Sequence, residues 1–312
     1  MRTTVLSFLV FTLGFLETSG QQLVIKSPVK FLALGDSYTI GQSVPAKDRW
    51  PAQLTDSLVQ LGFEVEGFRI IARTGWTTGN LLSALDRESP DTNHTLVSLL
   101  IGVNDQFQGS GIGLYNAGFR KLLSRAIAYA DGDTSRVFVL SIPDYAFTPF
   151  GGNNQNISTE IDEFNALNRS ISENYKISYF DITDISRRGL TEPGLVASDE
   201  LHPSGAMYEL WVGRVIAGAE LQPERDIETV TSADRKMKSA SLRFFPNPVQ
   251  SDLYLEITGR TAIKISTMSG QILKQLVLSN SGRIPTGPLN SGLYLLQWNN
   301  KKESGSAVFM KN

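Results

Sequence analysis

The chain has no cysteine among its 312 residues. That excludes disulfides, thiolate metal sites, a cysteine nucleophile and a lipidated cysteine behind a leader. Histidine is almost as scarce, with only His94 and His202, so any imidazole chemistry falls to one of these two. Net charge is −2, with no long run of one sign, which argues against a basic surface for nucleic acid. Beyond the N-terminus no segment is long and apolar enough to span a bilayer. There is no Walker motif, no His/carboxylate cluster with metal-ligand spacing and no G-x-S-x-G elbow. The "GSGIG" stretch at residues 109–113 lacks the dinucleotide fingerprint and reads as a loop. No cofactor or metal is therefore expected.

What is present is organised in blocks. Hydrophobic residues make up 41% of the chain, enough for a full core, and the length suggests two domains. Residues 1–20, "MRTTVLSFLVFTLGFLETSG", read as a signal peptide: Arg2, an apolar run from Val5 to Leu16, then Thr18, Ser19 and Gly20. From residue 29 to residue 220 short apolar runs alternate with amphipathic stretches. "VKFLALG", "EVEGFRIIA", "TLVSLLIG", "RVFVLSI" and "ISYFDI" read as strands. Between them, "DRWPAQLTDSLVQLG", with Asp48 as cap and Pro51 in the first turn, and four further segments have helical spacing. Strands alternating with helices imply an α/β unit with a parallel sheet covered on both faces.

The character changes near Leu221. Residues 221–239 are polar and aperiodic, and read as a linker. Residues 240–312 hold short alternating segments separated by turn signals, the pattern of a small all-β sandwich. That segment carries eight Lys/Arg and three Asp/Glu, a balance of +5, which leaves −7 for the rest. The contrast supports two separate units.

An open parallel sheet binds ligands outside the carboxyl ends of its strands. The first strand is followed by Gly35, Asp36 and Ser37, the second by Arg73, Thr74, Gly75 and Trp76, the third by Gly102, Val103, Asn104 and Asp105. Asp199 and His202 precede the last helix. One rim thus collects a hydroxyl, a glycine amide, a carboxamide, a carboxylate and an imidazole. Acyl transfer uses that set: a nucleophile, a base, a group orienting the base, and donors for the oxyanion. His94 precedes a strand, on the opposite rim, so His202 is the candidate base. Pro203 makes it the last loop residue before a helix.

Each piece also has a plain structural reading. Ser37 is a residue type that caps helices; Asn104 and Asp105 form turns; Gly75 suits any tight turn; "DELHP" suits a solvated loop. Their coincidence on one rim favours the chemical reading. Tyr38, Trp76, Phe107, Tyr145, Phe147 and Phe150 lie just beyond strand ends, where they would line a substrate cleft or pack under the loops.

With these residues in view, residues 29–220 resemble the SGNH (GDSL-type) hydrolase family. "GDSYTIG" matches its first block, "GWTTGNLL" its glycine block, "GVND" its G-x-N-D block and "DELHP" its D-x-x-H block, in order. The resemblance implies a three-layer α/β/α, flavodoxin-like fold and serine ester hydrolysis. By it, Ser37, Asp199 and His202 are catalytic. Ser37, Gly75 (rather than Gly79) and Asn104 form the oxyanion hole. The tail, through "FFPNP", "LNSGLYLLQW" and a lysine near the end, resembles the type A sorting domain of the type IX secretion system.

The expectation is therefore a secreted or cell-surface serine esterase, exported through the periplasm, whose partners are an ester substrate and the type IX machinery. A carbohydrate esterase removing acetyl groups is the alternative within the same chemistry. A silent surface binding module is the alternative outside it.

Overall fold

The computed structural model describes residues 21–223, 242–257, 259–267, 272–300 and 304–311. The expected leader lies outside these residues, as does most of the expected linker. After a short strand β1 (Val24–Lys26), the α/β unit runs β2 (Val29–Gly35), α1 (Ser37–Ile40), α2 (Trp50–Gln60), β3 (Val65–Ala72), α3 (Thr78–Glu88), β4 (Leu96–Leu100) and α4 (Val103–Phe107). It continues with α5 (Gly111–Tyr129), β5 (Val137–Leu140), α6 (Gln155–Asn174), β6 (Ser178–Phe180), α7 (Thr183–Ser186), α8 (Gly205–Gly218) and β7 (Glu220–Gln222). The Gly-rich stretch expected as a loop therefore opens α5 from Gly111 onward.

Strands β3-β2-β4-β5-β6 form one parallel sheet in that spatial order. Every residue of β4 and β5 is buried, as expected of strands covered on both faces. Helices α2 and α8 pack together on one face, and α3, α5 and α6 on the other. Phe31, Trp50 and Phe138 meet through the sheet side of α2, with ring centroids 5.9–6.4 Å apart. Counted from β2, the strand order is 2-1-3-4-5, so the crossovers reverse direction between β2 and β4. That switch point leaves a crevice at the carboxyl ends of those two strands.

Two local expectations shift by a residue or two. Arg49, not Asp48, occupies the cap position of α2, and no side chain caps it. Asp48 lies in the preceding 3-10 turn, Ala46–Asp48, and its carbonyl accepts from Gln53 Nε2 at 2.7 Å. Helix α8 starts at Gly205, capped by the Ser204 side chain, so two residues separate it from His202. The expected linker opens with structure: Leu221 and Gln222 belong to β7, paired in parallel with β1.

The C-terminal unit comprises β8 (Arg243–Phe245), β9 (Asp252–Glu256), β10 (Thr261–Thr267), β11 (Ile272–Leu278), β12 (Gly282–Pro285), β13 (Gly292–Asn299) and β14 (Ser304–Lys311). They form two antiparallel sheets, β11-β10-β13-β14 and β12-β9-β8. Leu253, Leu255, Ile263, Ile265, Leu296, Trp298 and Phe309 fill the space between them. Leu293, Leu295 and Met310 instead join the core of the α/β unit, where β13 and β14 meet α8.

Candidate active site

Strand β2 ends in Gly35, where a Cβ would fall 2.2 Å from Thr39 Oγ1 and 2.5 Å from the Leu100 carbonyl. Only glycine lets the chain turn that tightly into α1 beside β4. Asp36, not Ser37, is the cap of α1: its carboxylate accepts the Tyr38 N–H at 3.0 Å. Ser37 is the first helical residue, which frees its hydroxyl from the capping task.

The other members converge on it. Ser37, Gly75, Asn104 and His202 line one small cavity of about 130 Å³, together with Tyr38, Thr74, Val103, Phe107, Tyr145, Phe150 and Leu201. His202 is nearly buried, its ring 5.7 Å from that of Tyr38. Its Nδ1 lies 2.6 Å from Asp199 Oδ2. Against a carboxylate Nδ1 carries the proton, which leaves Nε2 as the available base nitrogen. Asp199 is held ionised. Although partial burial opposes it, hydrogen bonds from Ser43 and from the His202 and Leu201 N–H groups bring its carboxyl well below the usual range.

The loop after β3 presents Gly75 at φ +83, a left-handed backbone that favours glycine. Amides from α4 and the residue after it hold this loop: Asn104 Nδ2 donates to the Trp76 carbonyl at 3.0 Å, and Gln108 Nε2 to the Gly75 carbonyl at 3.1 Å. Asp105 accepts the Thr78 N–H at 2.9 Å and its hydroxyl at 2.6 Å, which locks the start of α3 to α4. Burial pushes the Asp105 carboxyl up. The N–H groups of Ser37 and Gly75 have no hydrogen-bond partner among the described residues. An anion entering the cavity would find these two donors and the second amide proton of Asn104.

Gly79 stands in α3, one turn past that loop, and does not line the cavity. Of the six aromatic residues, Tyr38, Phe107, Tyr145 and Phe150 line it; Trp76 packs against the core and Phe147 lies under the Arg187 guanidinium. Tyr145 Oη donates to Gln106 Oε1 at 3.0 Å, which fixes that wall. His94 is buried before β4, its N–H bonded to the Tyr129 carbonyl at the far rim. Sequence reading missed Ser43, Gln42 and Gln108, since a lone Ser or Gln in a loop carries no spacing signal. A larger concavity of about 770 Å³ on the β11-β10-β13-β14 sheet is lined by Lys264, Gln275, Gln297 and neighbours, with no histidine or carboxylate among its lining residues. Among the described residues no cluster of three or more His, Cys, Asp or Glu could hold a metal, and no helix is long and apolar enough to cross a membrane.

A three-layer α/β unit with a serine and an imidazole at its switch-point crevice has the flavodoxin-like layout. The chain belongs to the GDSL-like lipase/acylhydrolase family, whose family model matches residues 33–210. Residues 243–312 match the secretion system C-terminal sorting domain, a signal for export. The chain is 33% identical over 99 residues to an arylesterase of Vibrio mimicus, covering 30% of this chain and 47% of that protein. It thus spans about half the length of the curated relative it matches. A lipase structure from a goat rumen metagenome superposes with a TM-score of 0.51 at 18% identity, covering 61% of this chain and 97% of that one. An acetylxylan esterase structure from Geobacillus stearothermophilus gives 0.46 at 21% identity, covering 62% and 94%. The first of these superpositions supports the fold.

Proposed function

We propose that the protein is an exported serine esterase acting through a Ser37–His202–Asp199 triad and an acyl-enzyme. The carrying observation is that Ser37 and His202 line one cavity while His202 Nδ1 sits 2.6 Å from Asp199 Oδ2. His202 Nε2 takes the Ser37 hydroxyl proton as Oγ attacks the ester carbonyl. The oxyanion is met by the N–H groups of Ser37 and Gly75 and by Asn104 Nδ2. Collapse expels the alcohol, protonated by His202. Water, deprotonated by the same imidazole, then attacks the acyl-Ser37 ester; collapse releases the acid as the imidazolium returns the proton to Ser37 Oγ.

The cavity is small, about 130 Å³. Its walls are mostly apolar and aromatic, so it suits a short acyl or aryl group rather than a long chain. The small volume, with Phe107 and Phe150 half-exposed at the mouth, also supports removal of acetyl groups from a polysaccharide. Export through the type IX machinery, after passage through the periplasm, follows from the sorting-domain likeness.

The test is a panel of chromogenic esters of rising chain length and acetylated sugars, run on wild type and Ser37→Ala. Activity should peak at short acyl groups and vanish in the variant. Wild-type turnover by Ser37→Ala overturns the mechanism. A preference for sugar acetates over simple short esters selects the second substrate class.

A further inference from the structure

The segment after α1 does more than leave the nucleophile. The chain turns at Gly41, φ +74, and again at Ser43, φ +66. Ser43 Oγ then donates to Asp199 Oδ2 at 2.5 Å, across 156 residues of sequence. Its neighbour Gln42 accepts at Oε1 from Thr74 Oγ1 at 2.7 Å, one residue before Gly75. Two consecutive side chains thus reach from the Ser37 helix to the acid on one side and to the glycine loop on the other.

We propose that Ser43 is a positioning residue for the Asp199–His202 pair, fixing the carboxylate rotamer so that His202 faces Ser37. The proposal rests on the triad reading above. Asp199 has four donors. The His202 and Leu201 N–H groups hold Oδ1 at 2.9 and 3.1 Å, while His202 Nδ1 and Ser43 Oγ share Oδ2. Three of the four belong to the acid's own loop, and move with it. Ser43 is the one that ties the carboxylate to the element carrying the nucleophile. The Asp199 side chain is about 30% exposed, so without that tie water competes for Oδ2. The backbone at φ +66 would suit glycine better than serine. Glycine would lack the hydroxyl that makes the contact.

That conflict between backbone and side chain supplies the test. Ser43→Gly removes the hydroxyl and relieves the left-handed conformation, so its melting temperature should lie above that of Ser43→Ala. Ser43→Ala removes the hydroxyl without the relief, as a second variant. Both should lose about tenfold in kcat, the scale of one hydrogen bond to a charged group, with KM unchanged because Ser43 does not line the cavity. The downfield Nδ1 proton of His202, with His94 the only other imidazole, should move in both. In an Asp199→Ala background the same substitutions should change kcat less than twofold, since the acceptor oxygens are already gone. Unchanged kcat, or a loss carried by KM with the proton unmoved, or full additivity with Asp199→Ala, overturns the proposal. Ser37→Ala run alongside separates the two failures: if it remains active the triad reading falls, whereas an inactive Ser37→Ala beside a fully active Ser43→Gly removes Ser43 alone.

Discussion

Asn104 divides one amide between two tasks. One Nδ2 proton is spent on the Trp76 carbonyl at 3.0 Å, and the other is left for the cavity. Truncation to alanine should therefore act on rate and on the loop, in unequal measure. An oxyanion donor is worth roughly 10²–10³ in kcat, whereas the bond to Trp76 contributes about 1 kcal/mol to stability. Asn104→Ala should thus lose two to three orders of magnitude (roughly 10²–10³) in kcat on a chromogenic ester while melting only a few degrees lower. A rate within threefold of wild type, in a folded variant, would remove Asn104 from the oxyanion hole. Its neighbour Asp105 looks equally chemical in the sequence, but its carboxylate is consumed by Thr78. Adjacent residues in "GVND" thus divide into donor and lock, a distinction that only the direction of each side chain reveals.

At the scale of elements, the junction of β2 and α1 carries an unusual charge arrangement. Asp36 is fully buried; one oxygen caps α1 and the other has no partner among the described residues. Burial, aided by nearby Asp105, pushes its carboxyl up from 3.8 to about 8. The folded chain therefore keeps a proton that the unfolded chain releases above 3.8. Stability from this group is complete below that value and is lost as pH rises through about 8. Asp36→Asn keeps the cap acceptor without the titration. Thermal melts from pH 4 to pH 8 should show wild type losing more stability than Asp36→Asn; parallel curves would contradict the shift. Asp199 works in the opposite sense, lending stability that disappears on acidification, so the two proteins must be compared with each other rather than with a flat line. The elements themselves were legible where pattern is strong: the continuous apolar runs of β2, β4 and β5, and the Ser37, Asn104 and His202 blocks at strand ends. Boundaries slipped where turn chemistry competes, as with Asp48, which the 3-10 turn removes from the cap position of α2. The Gln42–Ser43 bridge was illegible because its partners lie 32 and 156 residues away, with no periodicity to announce them.

For the whole molecule, the question is whether the β unit is a passenger or part of the enzyme. Its own core closes between two sheets, and it also lays Leu293, Leu295 and Met310 against α8. The cavity with Ser37 and His202 takes no residue from it. The contact lies along α8, which begins just past His202, so the β unit touches the scaffold of the site without entering it. Removing residues from about 240 onward should then leave kcat and KM on short esters unchanged while abolishing export from the native host. The melting temperature should fall, because uncovering buried apolar side chains costs about 1.5–3 kcal/mol each at most. A truncated protein that melts like the full chain would mean the packing on α8 is not held in solution. One that is folded yet has lost turnover would mean that α8 needs the β unit to keep His202 in place. One that is still exported would remove the sorting role from the tail.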